Sequence, residues 1–318
     1  GLFRYNRVTD EFYKEDLSQY GVHEMGYIGS IGEDKYDRLW IGHRNGLSVY
    51  DYTNNYFKYY MLENSFNIQL ITIITHIFRT KKQDMVLGTH FTGFFVINEL
   101  NSSIKFYNLT EFNNQTGGIT SNGITIDNQK HLWAATNCMG ISVLDKKGKI
   151  LKQINQKNSG INNDILSLEY DKKGNIWAGS SSAGLYKIDK TYKINRYIHQ
   201  NNDTTSLAGR SVHAIYAINQ DSLMIATNKG LSIYHYSTNS FTNILTAKVQ
   251  DYAFTNLLPY KNRIYGVHFN SVFCFDRDTK QIKEYNLLKY NVFLEAGYID
   301  KNGKLWLGSS KGELYLFE

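Results

Sequence analysis

One phrase recurs along this chain and limits what it can fold into: a short strand ending in Trp-x-Gly or a near relative, a tight loop, and a second strand opening on Gly-Leu or Gly-Ile. It reads "LWIGHRNGLSVYDY" from Leu39, "IWAGSSSAGLYKID" from Ile176 and "LWLGSSKGELYLFE" from Leu305. Aligned on the residue that closes the first strand, the copies fall at Gly42, Gly88, Ala135, Gly179, Ala226, Gly266 and Gly308, at intervals of 46, 47, 44, 47, 40 and 42 residues. A helical pair would show apolar residues every three or four positions. Here they alternate with period two, as in "LSVYDY", "ISVLDK" and "LSIYHY", which is the signature of half-buried strands. The period and alternation predict an all-β fold, a seven-bladed β-propeller of four-stranded antiparallel blades, with residues 1–318 forming a single propeller.

Composition agrees. Tyr and Phe number 25 and 17, and 25 Gly stand beside one Pro, so glycine and asparagine must make the turns. The Asp-x-x-Gly links, "DKKGN" and "DKNGK", are hairpin chemistry, because Gly accepts positive φ and Asp bonds nearby amides. The net charge of +6 is spread along the chain, with no basic block of the kind that binds nucleic acid. Cys138 and Cys274 are too few for a disulfide framework or zinc site and are expected as buried thiols. No apolar run spans a bilayer. The first words, "GLFRYN", already sit inside a repeat, so the chain is expected to be an excerpt of a longer protein. Its segment 10–16 is expected to supply the outer strand of the last blade, the competing expectation being that residues 1–16 belong to a blade whose first half was cut away.

The repeat D-x-x-G-x-(L/I)-W-(I/A/L)-G-(T/S)-x-x-G-L-x-x-(Y/I)-D resembles the two-component regulator propeller repeat, best over Asp171–Asp189 and Asp300–Leu314. Blades two, five and six depart from it with Val86, Met224 and Tyr265 at the Trp position, and Ala135 and Ala226 replace the glycine. The resemblance implies the periplasmic sensor region of a Bacteroides-type hybrid two-component histidine kinase. It further implies oligosaccharide sensing, homodimerisation through the parent receptor, and membrane attachment only through flanking segments. No cofactor, metal or nucleic acid is expected.

The loops between second and third strands vary most: "HRN", "THFT", "TNCM", "SSSA", "TNK", "VHFNS" and "SSK". Their 26 residues contain no Asp or Glu. Loops on a rigid scaffold commonly carry binding residues, and an acid-free ring with cations and aromatics suits an anionic or hydroxyl-rich ligand. The candidate ligand residues are His43, Arg44, Asn45, His90, Phe91, Asn137, Lys229, His268, Asn270 and Lys311. The competing explanation is that tight loops favour Ser, Thr and Asn anyway. Trp40, Trp133, Trp177 and Trp306 are expected to pack between blades rather than bind. Catalysis has less behind it: Glu169, His213 and Glu295 lie on predicted inner strands, without a spacing that marks an acid–base pair. A propeller lyase or glycoside-active enzyme, and a protein-interaction scaffold, are the alternatives.

Overall fold

A computed structural model describes residues 2–6, 11–15, 25–51, 53–54, 56–60, 73–80, 84–90, 93–98, 103–109, 118–246 and 254–317. Its regular structure is β throughout, apart from the single turn of helix Gln156–Ser159 and a 3-10 turn at Leu288–Tyr290. Among the described residues no helix is long and apolar enough to cross a membrane. The chain divides into two compact units, residues 1–108 with 258–318, and residues 109–257.

In the first unit, Ile28–Glu33, Leu39–His43, Gly46–Asp51 and Tyr56–Tyr60 form an antiparallel meander, as do Ile74–Arg79, Met85–Thr89, Gly93–Ile97 and Ile104–Asn108. Arg263–His268, Ser271–Asp276 and Ile282–Asn286 repeat the pattern behind a first strand, Phe254–Tyr260, that enters this unit at Leu258. A further sheet joins both ends of the chain. Leu294–Ile299, Leu305–Ser309 and Leu314–Phe317 run antiparallel, and Leu2–Asn6 pairs parallel with Leu314–Phe317, Leu2 opposite Leu314. Glu11–Glu15 then adds a fifth strand on Leu2–Asn6. The expectation for segment 10–16 is thereby corrected. The fourth place belongs to Leu2–Asn6, where the Phe3 ring stacks on Tyr315 with centroids 4.7 Å apart.

In the second unit an eight-stranded sheet contains two meanders: Ile119–Ile126, Leu132–Thr136, Ile141–Leu144 and Ile150–Ile154, then Ile165–Tyr170, Ile176–Ser180, Leu185–Ile188 and Ile194–Tyr197. They meet at one parallel pair, Asn122 with Ser167. Val212–Ala217, Ser222–Thr227, Gly230–His235 and Ser240–Thr246 form the next sheet.

Within each unit, consecutive sheets stack face to face. Second strands such as Leu39–His43, Met85–Thr89 and Ile176–Ser180 are buried along their whole length, whereas fourth strands expose Tyr56, Ile104 and Leu151. The glycine that ends a second strand is explained by this stacking. A Cβ on Gly42 would lie 2.6 Å from Ile74 Cγ2, on Gly179 2.5 Å from Val212 Cγ1, and on Gly308 2.4 Å from Ile28 Cγ2. In each case a β-branched residue on the first strand of the adjoining sheet stands in the way, joined at Gly179 by Ser167 Oγ of its own sheet at 2.4 Å, so the glycine sets how closely two sheets approach.

The tryptophans are packing elements with a polar anchor. Trp40, Trp133, Trp177 and Trp306 each donate an indole N–H to the carboxylate six residues earlier: Asp34 at 2.9 Å, Asp127 at 3.0 Å, Asp171 at 2.7 Å and Asp300 at 3.0 Å. The other oxygen of the same carboxylate accepts two backbone N–H groups of the hairpin turn, as Asp171 does from Lys173 and Asn175. One acid thus fixes the turn and the orientation of the buried indole together. Cys274 is buried, but Cys138 is only partly so, which corrects the expectation of two buried thiols.

Candidate functional site

The loops between second and third strands are built by repetition of a single hydrogen bond. After six of the second strands, the next backbone N–H donates to the residue that enters the first strand of the same sheet. Arg44 donates to Tyr27, His90 to Ile73, Asn137 to Gly118, Ser181 to Asp164, Asn228 to Ser211 and Ser310 to Phe293, all at 2.9–3.2 Å. Each of these loops therefore lies against the link into its own sheet. The loop hydroxyls are largely consumed in bracing these turns. Thr89, Thr136, Ser180 and Thr227 donate to the carbonyls of Gly93, Gly140, Gly184 and Gly230. That requirement accounts for much of the loops' Ser and Thr content without invoking a ligand.

In the first unit the structure gathers a definite group around Arg44. Gly26 faces the Arg44 side chain, and the Gly312 turn comes so close to Gly26 that a Cβ there would sit 2.3 Å from the Gly26 carbonyl. Lys311, adjacent to that turn, is exposed and donates through Nζ to Asn291 O at 3.3 Å. Arg44 is exposed as well. Beside Gly26, the Tyr27 hydroxyl bonds Glu295; burial and then the Glu295 charge push the phenol up to about 12. Burial likewise raises Glu295 above the ordinary carboxylate range, with the Tyr27 hydrogen bond acting the other way. His43 is a structural member. Its Nε2 meets Ser48 Oγ at 3.0 Å, its Nδ1 accepts from Asn45 N at 3.2 Å, and burial lowers it to about 4. It is neutral at physiological pH. Asn45 holds the Tyr59 hydroxyl through its carbonyl.

The remaining candidates are dispersed. His268 contacts Ser271 Oγ through Nδ1 at 3.2 Å, and its pKa is lowered by burial, against a hydrogen bond with Asn270. The Asn270 carbonyl accepts from Leu287 N, and exposed Phe269 packs on Phe293 at 4.7 Å. His90 is half-buried beside Ile73. Phe91 lies outside the described residues. In the second unit, Asn137 Oδ1 accepts from Gly118 N at 3.1 Å, and Lys229 N donates to Thr227 Oγ1 at 3.2 Å. Asn137 acts as a brace, its counterpart being Asn228, whose Oδ1 accepts from Ser211 N. Among the described residues no three His, Cys, Asp or Glu side chains stand where they could share a metal ion.

The three titratable residues considered for catalysis lie on first strands, each with an identified partner. Glu169 accepts from Ala217 N at 3.1 Å on the adjoining sheet, and burial, opposed by that bond, raises it to about 7. His213 Nε2 meets Ser211 Oγ at 3.0 Å, and burial lowers its pKa. The carbonyl of His213 is engaged by Asn122, which also reaches Thr255 O at 2.6 Å from an irregular stretch of its own strand. Sequence reasoning did not single out Asn122, Tyr27 or the four aspartates. Only the aspartates left a signal, the fixed six-residue interval before each Trp.

Comparison with known proteins supports the repeat. Residues 159–182 match the family model described as two component regulator propeller. No curated protein sequence matches the chain. Among solved structures, the extracellular domain of a hybrid two-component system from B. thetaiotaomicron is similar over 95% of this chain and 41% of its own, at 19% identity and a TM-score of 0.73. A streptogramin B lyase is similar over 91% and 92% of the two chains, at 15% identity and TM-score 0.69. Virginiamycin B lyase from Staphylococcus aureus is similar over 91% and 94%, at 12% identity and TM-score 0.70. At such identities the likeness is one of fold. The chain thus carries a two-component regulator propeller repeat, at residues 159–182, in an all-β propeller-like fold of four-stranded antiparallel sheets.

Proposed function

We propose that this chain is a non-enzymatic sensing and dimerisation module of a hybrid two-component receptor, placed outside the cytoplasm and, in a Gram-negative cell, in the periplasm. In this view residues 1–318 form one seven-bladed propeller. The observation that carries the proposal is the match of residues 159–182 to the two-component regulator propeller model, together with a pattern that recurs along the chain. The similar B. thetaiotaomicron domain is more than twice as long, so the remainder of such a receptor would lie outside this chain. A ligand switches a receptor only by binding one arrangement of it more tightly. Its class would be an anionic or hydroxyl-rich oligosaccharide, and the Arg44–Lys311 region of the loop face is the first candidate for contact.

Titration calorimetry with a panel of acidic and neutral oligosaccharides tests this. Arg44→Ala combined with Lys311→Ala should weaken an acidic ligand, and Arg44→Ala with Lys229→Ala extends the test to the second unit; unchanged affinity in both removes the loop face as the site. The fold likeness to two lyases supports a second reading, in which the chain acts on an anionic or cyclic substrate. Product formation that disappears in Glu295→Gln or His213→Ala would favour it. A scaffold is favoured if no glycan shifts the melting temperature while the protein self-associates.

A further inference from the structure

A cleft of about 430 Å³ opens in the second unit between the outer strands of two adjoining meanders. Lys152, Gln153 and Ile154 line one wall, Tyr192 and Ile194 the other, with Asn158 and Ser159 at one end. Its size is in the range of small-molecule sites.

Tyr192 is the unusual residue here. The turns Asp145–Gly148, Asp171–Gly174 and Asp300–Gly303 are built alike, the fourth residue donating its N–H to the aspartate carbonyl, and the glycines have φ of 82°, 85° and 85°. The turn Asp189–Tyr192 makes the same hydrogen bond at 2.9 Å, yet its fourth residue is a tyrosine with φ of 65°. Among the described residues it is the one aromatic side chain held in the left-handed region, where a bulky residue is disfavoured. The conformation projects the ring across to the neighbouring sheet. There it stacks on Trp133, centroids 5.9 Å apart, and lies under Lys152 Nζ at 3.6 Å.

The polar groups of the cleft define what it would accept. It contains no carboxylate, and no described acid pairs with Lys152. Gln153 Nε2 donates to Ser142 Oγ at 2.8 Å, but its Oε1 is buried without a donor. That oxygen is shielded from solvent and out of a ligand's reach. Ser159, exposed at the end of the cleft, donates to Asn155 O and keeps its lone pairs for a hydroxyl. Ile194 and the tyrosine ring, both half-buried, offer apolar surface to the C–H face of a ring.

We propose that this cleft is a binding site for an acidic sugar ring, its carboxylate at Lys152, a hydroxyl on Ser159 and its apolar face against Tyr192 and Ile194. The site stands on the second unit alone and holds whether or not the loop face binds. Glucuronate and glucose serve as matched probes, followed by saturation-transfer NMR and titration on the whole chain. Glucuronate should bind, with glucose at least about tenfold weaker, a ratio set by one lost charged contact. Lys152→Gln, a surface change that leaves folding intact, should bring glucuronate down to the affinity of glucose. Tyr192→Asn, which tolerates the left-handed backbone, should abolish binding while the melting temperature moves by no more than about 2–4 °C. Glucuronate that does not bind, or whose affinity survives Lys152→Gln, overturns the proposal. Loss on Arg44→Ala rather than Lys152→Gln does so too, and assigns the ligand to the loop face.

Discussion

Replacing Asp171 by alanine removes more hydrogen bonds than any other single truncation considered in this fold. Its carboxylate accepts from Lys173 N, Asn175 N, Asn175 Nδ2 and Trp177 Nε1 at 2.7–2.9 Å, and from the Tyr236 hydroxyl of the adjoining sheet. Hydrogen bonds to a charged group contribute roughly 1.5–3 kcal/mol each, and a buried donor left alone costs about 1–3 kcal/mol. Trp177 is fully buried, and without Asp171 its indole N–H keeps only the Tyr236 hydroxyl at 3.0 Å, whereas the Lys173 amide lies at an exposed turn. Counting the buried donors and allowing the turn to rehydrate gives a loss of about 3–5 kcal/mol, the scale of an exceptional point mutant. Urea unfolding at pH 7, followed by far-UV circular dichroism and tryptophan fluorescence, measures it. A double-mutant cycle with Tyr236→Phe isolates the contact between sheets, with an expected coupling of about 1–3 kcal/mol. The pH dependence has a definite sign. Burial raises the Asp171 pKa, but the bonds from Tyr236, Asn175 and Trp177 outweigh it and hold the group below its usual value. Its contribution is therefore complete above the unfolded value of about 3.9 and lost as pH falls through the lower folded value. A loss under about 1 kcal/mol, or no coupling to Tyr236, would refute the view that this acid ties turn, indole and neighbouring sheet together.

Glu169→Gln should act in the opposite pH range: with a folded pKa of about 7, the acid's contribution is complete below about 4.5 and lost as pH rises through 7. The wild type should thus be less stable at pH 8 than at pH 5, and the variant should exceed it at pH 8 by about 1–3 kcal/mol in urea titrations. Gly179→Ala should destabilise by about 1–3 kcal/mol despite the entropic advantage of alanine, because its Cβ meets Val212 Cγ1 at 2.5 Å and Val212 O at 2.7 Å. A Val212→Ala second change should restore part of that loss. His43→Gln should leave the affinity of any acidic loop-face ligand within about twofold at pH 7, since a neutral, buried imidazole adds no charge there; a tenfold fall would show that it carries charge in the complex.

Strand order was legible in the sequence because strands with one buried face alternate apolar and polar residues, and because Gly and Asp mark the turns. The role of Gly179 was not. A glycine closing a strand looks like turn chemistry until Val212, on the next sheet, shows that the glycine keeps space for a neighbour. The tryptophans were correctly separated from ligand binding, but their anchoring acids required coordinates to see, although the interval was there to be counted. The chain ends were misassigned because two short strands, Leu2–Asn6 and Glu11–Glu15, share the same alternation, and pattern alone cannot say which one pairs with Leu314–Phe317. Loop composition exaggerated the binding signal, since Thr89, Thr136, Ser180 and Thr227 are spent on their own turns. The rim cleft was invisible, because it depends on one tyrosine in a backbone conformation that its sequence disfavours.

The sensing role is tested most directly by incubating the purified chain with acidic oligosaccharides and following heat of binding and product formation in the same sample. Saturable binding with the sugar recovered intact is the predicted result. Conversion of the sugar, lost in Glu295→Gln or His213→Ala, would contradict it.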